Sequence, residues 1–368
     1  MVLAFWPITA LFFDALGHNN RTGQESFFTL AHLFLYAGLV ALSLWVGMLV
    51  TRYQLAAGVD PKKLLPDLKQ IPVGYGVTIL GFCVLGVAGP ADLIWHSIYG
   101  FEINVAAVYS PPHLCLFFGG MLVASTGIRS MWAKGDIAPD FKTYLPVLLS
   151  SILFVAMAGF ITMYLSAFMT NVSPTSAFVN DLKHFHDVHD DQSISLNAGL
   201  TGYGDNLWPY LYYSVSHGIA SMVITTIVLL GPMLLNARRW RMPFGAATLT
   251  FLGYGVLMSI MTEYRDAVLI IPLVLTGVAM DLLVQRLGNT RADRRVSLGG
   301  IRILGTATGA VLWFSYYAVL ALDKGIGWKP TLWTGALIVA VMSGFGLAFL
   351  IAPPAYGPRL VEAEDVPA

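Results

Sequence analysis

The sequence predicts an all-α polytopic membrane protein with about nine transmembrane helices and a short N-terminal interfacial helix. Of its 368 residues, 56% are hydrophobic and 11% are charged, whereas an ordinary soluble domain has roughly 25% charged residues. Apolar runs of roughly 20 residues, the length of helix that crosses a bilayer core, recur along the whole chain. These observations exclude a soluble globular enzyme. Equal numbers of basic and acidic residues, 21 of each, argue against a nucleic-acid partner and leave membrane lipid as the expected surrounding.

The predicted spans form one integral membrane domain, residues 1–368, with small appendages. The spans are placed at about 27–50, 71–92, 112–132, 144–167, 208–235, 243–262, 267–285, 299–322 and 330–352. The apolar stretch 1–16 is shorter and lacks the basic start and cleavage site of a signal peptide, so we interpret it as an interfacial or re-entrant helix. The appendages are a His-rich outer loop, 167–207, and a cytoplasmic tail, 353–368.

The distribution of cations predicts the orientation in the membrane. Most of the 21 Lys and Arg residues follow the odd-numbered spans or lie in the tail, and cations in short loops are retained on the cytoplasmic side. We therefore predict a protein of the cell (inner) membrane with its N-terminus outside and its C-terminus in the cytoplasm. Under this topology all eight histidines fall in outer loops or in the outer halves of helices.

A pattern of acidic residues and histidines occurs twice. In chain order the two copies are Asp14, His18, Glu25 and His32, then Asp92, His96, Glu102 and His113. In both copies the last histidine begins a His-Leu-x-Leu-aromatic-x-Gly sequence. The pattern predicts a parallel duplication of a two-helix unit, as is known in transporter folds, with 1–90 and 91–200 as the repeat units.

Each copy offers a set of side chains that could bind one metal ion. Asp and His four residues apart stand on one face of a helix, and antiparallel helices would bring His113 back toward Asp92 and His96. Two imidazoles and one carboxylate suit Cu(II), Zn(II) or non-haem Fe(II), whereas calcium and magnesium prefer oxygen ligands. Two separate sites and one shared site are both consistent with the sequence. The predicted metal ligands are Asp92, His96, His113, Glu102, Asp14, His18, His32 and His217.

Structural interpretations of the same residues are also open. Each copy could be a hydrogen-bonded polar cluster that pins two helix ends. His217, within the fifth span, is either a ligand or a hydrogen-bonding partner of Ser214 or Tyr213. The run 184–191, with three histidines and three acidic residues, could capture a metal or could be a solvated loop.

Two short segments of the second copy resemble the C subunit of the copper-containing membrane monooxygenases, the particulate methane and ammonia oxidisers. The segments Asp92-Leu93-Ile94-Trp95-His96 and Tyr109-Ser110-Pro111-Pro112-His113 are similar to the two pieces of that family's intramembrane copper site. The resemblance is confined to residues 92–113. It implies that Asp92, His96 and His113 ligate copper, that dioxygen oxidises a small or lipid-soluble substrate, and that other membrane subunits take part.

Four functions therefore compete at this point, and the sequence leaves open whether the protein is an enzyme. The first is a copper-dependent metalloenzyme, and the second is non-catalytic binding or transport of a metal. The third is a b-type haem protein with His32, His113 and His217 as candidate axial ligands. The fourth is a transporter whose polar residues relay protons. Copper is the expected cofactor, with iron, zinc and haem b as the alternatives.

Overall fold

The structure is a computed structural model that describes residues 1–20, 29–60, 70–100, 105–135, 138–176, 208–288 and 295–353. Every regular element within these residues is a helix, which confirms the predicted all-α class. The main helices are α1 (Phe5–Asn20), α2 (Leu30–Ala56), α3 (Gly76–Tyr99), α4 (Val105–Tyr109), α5 (Pro111–Ala124), α6 (Thr126–Lys134), α7 (Phe141–Ile161), α8 (Trp208–Arg239), α9 (Ala246–Met261), α10 (Ile270–Gly288), α11 (Leu298–Asp323) and α12 (Pro330–Ile351).

Eight helical segments of the described chain are long and apolar enough to cross a membrane, so this is a polytopic α-helical membrane protein. One of the eight consists of α5 and α6 together, which are separated only at Ser125. All nine predicted spans coincide with helices. The span predicted at 243–262 is α9, which has 16 residues and is shorter than the eight.

The helix α1 packs into the bundle instead of lying along its surface. Ile8 and Phe12 are buried, and the ring of Phe12 meets that of Phe160 on α7 edge to face at 5.1 Å. Nε1 of Trp6 donates to the carbonyl of Phe34 on α2 at 3.1 Å. The last turns of α1 meet the first turn of α2, so the two helices run antiparallel. This packing favours the re-entrant interpretation of α1 over the interfacial one.

The two ends of the bundle differ in charge. At the end where α6, α8 and α12 finish, Arg239 donates to the carbonyl of Trp132 at 2.8 Å, and Arg302 donates to the carbonyl of Ala352 at 3.1 Å. The described histidines lie at the opposite end, where α1, α3 and α7 finish. Arg239 and Arg302 therefore lie at the end of the bundle opposite the described histidines.

Candidate metal centre

The second copy of the motif forms a compact group, the second triad, made of Asp92, His96 and His113. Asp92 and His96 lie one turn apart on α3, and His113 is the third residue of α5. Oδ1 of Asp92 lies 3.4 Å from Nε2 of His96 and 3.2 Å from Nε2 of His113. One potential ligand atom from each residue lies within 4.8 Å of the other two. The three side chains could therefore hold a single ion.

Local sequence fixes where α3 ends and α5 begins. Gly100 follows α3 with φ +77°, a conformation that glycine adopts without steric cost. Ser110, in extended conformation, precedes α5, and Pro111 and Pro112 occupy its first two positions. Proline suits these positions because its φ is already helical and its missing N–H would have no partner there. His113 is thus fixed in the first turn of α5.

A glycine contact lets α3 and α5 approach closely. A Cβ on Gly81 would lie 2.9 Å from the carbonyl oxygen of Gly119, and a Cβ on Gly119 would lie 3.0 Å from that of Gly81. Small residues at a helix–helix contact are the usual means of close packing in membranes. The contact therefore brings the two helices that carry the second triad together.

Backbone hydrogen bonds decide which nitrogen of each imidazole faces Asp92. Nδ1 of His96 donates to the carbonyl of Gly100 at 3.1 Å, and Nδ1 of His113 donates to the carbonyl of Ala107. A carbonyl oxygen only accepts, so both Nδ1 atoms carry a proton, and a neutral imidazole then has its lone pair on Nε2. Bonds of this kind orient the histidine ligands of metal sites. Both Nε2 atoms are thus aimed at the same carboxylate.

The surroundings of the buried Asp92 carboxylate indicate whether a cation fits the second triad. Asp92 is 2% exposed, and its Oδ1 has no hydrogen-bond partner among the described residues, although two Nε2 atoms lie within 3.4 Å. Oδ1 of Asp14 is likewise buried without one in the described part of the chain. A buried charge is costly unless it is paired or coordinates a metal. In the second triad, ligand atoms that converge on a carboxylate oxygen without a hydrogen bond to it fit a metal site better than a hydrogen-bonded polar cluster.

The first copy of the motif forms the same arrangement between α1 and α2. Oδ2 of Asp14 lies 3.7 Å from Nε2 of His18 and 3.2 Å from Nε2 of His32, and the two Nε2 atoms are 3.4 Å apart. We call these three residues the first triad, and their ligand atoms also lie within 4.8 Å of one another. His32 is the third residue of α2, and its N–H donates to the Thr29 hydroxyl that caps the helix. Both hairpins therefore place their ligands at corresponding positions.

The two triads are close enough to act on one another. The imidazole of His18, in the first triad, is within electrostatic range of His96 and His113 in the second. The ligand atoms of the two triads nevertheless form two separate groups. The structure therefore has two neighbouring groups of potential metal ligands.

Tyr36 of α2 lies between the two hairpins. Its ring centroid is 6.3 Å from that of His32, and its Cε1 is 3.4 Å from where a Cβ on Gly89 of α3 would stand. Tyr36 is thus in contact with the first triad and with the helix that carries the second.

Sequence reasoning missed Tyr36, although the repeated motif contains the signal. Tyr36 follows His32 by four residues and so shares its helix face. In the second copy the corresponding aromatic residue is Phe117, whose ring stacks on His113 with centroids 6.0 Å apart and an interplanar angle of 17°. The aromatic residue of His-Leu-x-Leu-aromatic-x-Gly therefore lies beside the last histidine in each hairpin.

The other predicted site residues are His217 and residues that the structure does not describe. Glu102, Glu25 and the run 184–191 are outside the described residues. His217 on α8 belongs to neither triad, and its Nε2 donates to the carbonyl of Tyr164 at 2.8 Å.

A buried acidic residue that the sequence did not single out has a structural role. Oδ1 of Asp281 on α10 accepts the N–H of Ala247 at 3.0 Å, and Oδ2 accepts the N–H and the hydroxyl of Thr248 at 3.1 and 2.7 Å. These N–H groups belong to the first turn of α9, where helices need acceptors. Asp281 therefore caps a neighbouring helix.

Comparison of the chain with protein-family models, with curated proteins and with solved structures found no match. The likeness of residues 92–113 to the monooxygenase subunit therefore stays a prediction.

Proposed function

We propose that this protein is a membrane metalloprotein whose two triads each bind one metal ion, and that this metal is copper. The observation that carries the proposal is the second triad, in which two imidazoles oriented by backbone hydrogen bonds converge on the buried carboxylate of Asp92. Two histidines and one carboxylate leave coordination positions open, and open positions are what metal-ion catalysis requires.

The donor set supports copper, with iron and zinc as alternatives. Mixed nitrogen and oxygen ligands suit all three metals, and among divalent first-row ions Cu(II) binds such sites most tightly. We rank haem b lower, because axial histidines need the porphyrin between them. Here a carboxylate oxygen lies 3.2 Å from the Nε2 of His32, and another lies equally close to that of His113.

We further propose an oxidative role, in which a metal held by the triads would supply dioxygen chemistry toward a small or lipid-soluble substrate and partner membrane subunits would deliver the electrons. The likeness of residues 92–113 to the copper monooxygenases supports this role. The chain's own residues would hold and orient the ion, while Tyr36 and Phe117 would keep water away from the imidazoles beside them.

Metal transport is the second candidate function, and the proximity of the two triads favours it. The hairpins that carry the two triads are in contact at Tyr36 and Gly89, and neighbouring sites of this kind could exchange an ion. Metal uptake into sealed vesicles by the purified protein would support transport over oxidation.

We propose an inner-membrane location with the triads near the outer surface and the C-terminal tail in the cytoplasm. The support is the separation of the histidines from the Arg residues at the other end of the bundle, together with the preference of cations for the cytoplasmic side. Because α1 runs antiparallel to α2, its first residues lie away from the triads, and the side on which the N-terminus lies stays a prediction.

The test is metal stoichiometry on protein purified in native lipid, measured for the wild type, for His113→Ala and for His217→Ala. His217 is the matched control because it is a helical histidine outside both triads. We expect His113→Ala to lose metal and His217→Ala to retain it, with nitrogen hyperfine coupling in the Cu(II) spectrum of the wild type. Equal metal content in the wild type and in His113→Ala would exclude the proposed site.

The oxidative role needs a separate measurement. Membranes that contain the protein and its native partners should consume dioxygen when a lipid-soluble substrate is added, and His113→Ala should abolish the increase. Equal substrate-dependent consumption of dioxygen in membranes with the wild type and with His113→Ala would contradict the oxidative role. That result would leave the proposal of metal binding unchanged.

A further inference from the structure

Two arginines from different helices meet at the carboxyl end of α12, at the end of the bundle opposite the triads. Arg238, in the last turn of α8, donates from Nη1 to the carbonyl of Ile351. Arg302, in the second turn of α11, donates from Nη2 at 3.1 Å to the next carbonyl along the chain, that of Ala352. Both guanidinium groups are therefore held beside two consecutive peptide groups.

The helix end offsets only part of the charge of these two arginines. The carboxyl end of a helix is equivalent to roughly half a negative charge, whereas each guanidinium carries a full positive charge. In the part of the chain that the structure describes, neither guanidinium is paired with a carboxylate. Each has five N–H donors, of which one has an acceptor among the described residues. Two neighbouring cations with unused donors favour an anionic partner.

The surface beside the two arginines is apolar. Ile303, which follows Arg302 on α11, is 55% exposed, and Leu350, which precedes the two carbonyls on α12, is 78% exposed. The guanidinium of Arg302 lies over the ring of Phe349, 4.7 Å from its centroid. Basic side chains at helix ends commonly lie along apolar surface in this way, with the charged group at the membrane interface. The surface thus offers cationic groups next to side chains that face hydrocarbon.

We infer that Arg238 and Arg302 bind the phosphate of an anionic phospholipid, whose acyl chains lie along Ile303 and Leu350. The planar guanidinium group matches the geometry of phosphate, and basic residues at the membrane surface attract anionic lipids. The site goes beyond the proposed function, because it lies at the other end of the bundle and contributes no ligand atom to either triad.

The competing anion belongs to the chain itself. Glu362, Glu364 and Asp365 follow α12 in the tail, 353–368, outside the described residues. The exposed apolar side chains favour the lipid, because in a membrane they contact acyl chains whether or not a headgroup is bound. The tail would have to become ordered in order to reach the arginines, which costs conformational entropy.

The test measures lipid binding to the full chain in detergent by native mass spectrometry. The probe is dioleoyl phosphatidylglycerol, and the uncharged reference is dioleoyl phosphatidylcholine. We expect the wild type to bind the first phosphatidylglycerol about tenfold more tightly than phosphatidylcholine, and Arg238→Gln and Arg302→Gln each to weaken the binding of phosphatidylglycerol about tenfold. Equal affinities of the wild type for the two lipids would overturn the inference.

A third arginine provides the matched control. Arg52 is exposed near the end of α2, at the same end of the bundle, and α2 begins beside the first triad. Arg52→Gln removes the same charge from the same face and should leave the affinity for phosphatidylglycerol unchanged. A loss in Arg52→Gln as large as that in Arg302→Gln would mean that the lipid responds to overall surface charge, and would refute a defined site.

A conservative variant separates loss of charge from loss of structure. Arg302→Lys keeps the positive charge and should bind phosphatidylglycerol more tightly than Arg302→Gln does. Equal weakening in the two variants would contradict the role of the charge. Arg238→Gln tests the site again at an exposed position, where the replacement of a surface side chain leaves the packing of the helices intact.

Two further measurements distinguish the phospholipid from other anions. Neutralisation of the tail by Glu362→Gln, Glu364→Gln and Asp365→Asn should leave the affinity for phosphatidylglycerol unchanged, whereas a rise would show that the tail occupies the arginines. Equimolar glycerol 3-phosphate should not displace phosphatidylglycerol, because it lacks the acyl chains. Displacement would show a site for soluble phosphates and would overturn the assignment to lipid.

Discussion

Oδ1 of Asp92 lies 3.2 Å from Nε2 of His113, the residue that follows the two prolines at the start of the next helix. The Nδ1 of this imidazole donates to a backbone carbonyl, so its lone pair faces the carboxylate. Two electron-rich atoms at this distance repel unless a proton or a cation lies between them. His32 and Asp14 in the other hairpin approach to the same 3.2 Å, so the first triad could hold an ion in the same way.

The first prediction concerns the number of metal ions. The wild type should bind two, Asp14→Ala one, Asp92→Ala one and the double variant none, because each carboxylate belongs to a different triad. Elemental analysis of protein dialysed against buffered Cu(II) measures this. Complete loss of metal in either single variant would indicate one shared site in place of two.

The second prediction concerns coupling between the two ions. Each occupied triad carries a net charge near +1, and two such charges within electrostatic range repel by about 1–2 kcal/mol at an effective dielectric constant of about 20. The second ion should therefore bind about tenfold more weakly than the first. In Asp14→Ala, the surviving triad should show the tighter, first-step affinity of the wild type. Stepwise affinities in a calorimetric titration that differ by no more than the statistical factor of two equal, independent sites would contradict any electrostatic coupling.

The triads could be predicted from the sequence because their geometry is local. Asp92 and His96 share a helix face through their spacing of four residues, and the prolines before His113 mark where the next helix starts. The proximity of the two hairpins could not be predicted, since it depends on contacts between distant helices such as that of Tyr36 with Gly89. In the sequence, Tyr36 is one of many aromatic residues that lie within apolar segments.

Other features escaped prediction because hydropathy carries no information about tertiary partners. The apolar stretch 1–16 could equally lie on a membrane surface or enter the bundle, and only the burial of Phe12 against α7 decides between them. Asp281 falls within an apolar span, and nothing in its neighbourhood along the chain points to the backbone N–H groups of α9 that it accepts.

The third prediction concerns Asp281 and stability. Asp281→Ala removes the acceptor of two backbone N–H groups at the start of α9, and a buried unsatisfied donor costs about 1–3 kcal/mol. We expect a lower thermal midpoint in detergent with unchanged metal stoichiometry, because Asp281 lies at the end of the bundle away from the triads. The matched control is Asp323→Ala, since Asp323 is exposed at the end of α11. A midpoint equally low in the control, or a loss of metal in Asp281→Ala, would count against the capping role.

The fourth prediction concerns the glycine contact that supports the second triad. A side chain on Gly119 would begin with a Cβ 2.8 Å from the Leu85 side chain and 3.0 Å from the carbonyl oxygen of Gly81, so Gly119→Leu has to push α3 away from α5. Overpacking of this kind costs about 1–3 kcal/mol, and the separation should draw Asp92 away from His113. We expect this variant to keep the ion of the first triad and to lose that of the second.

The control for that variant is Gly346→Leu on α12, where a Cβ would meet nothing within 4 Å. It adds the same side chain to a transmembrane helix without moving a contact, so it should bind two ions. Two ions in Gly119→Leu as well would mean that the second triad does not depend on the close approach of α3 and α5. Loss of both ions would mean that the two hairpins support one another. The overpacked contact is remote from Asp14 and His18 in the sequence, and it reaches them through packing such as that of Tyr36 on Gly89 and that of Phe12 and Phe117 on Phe160.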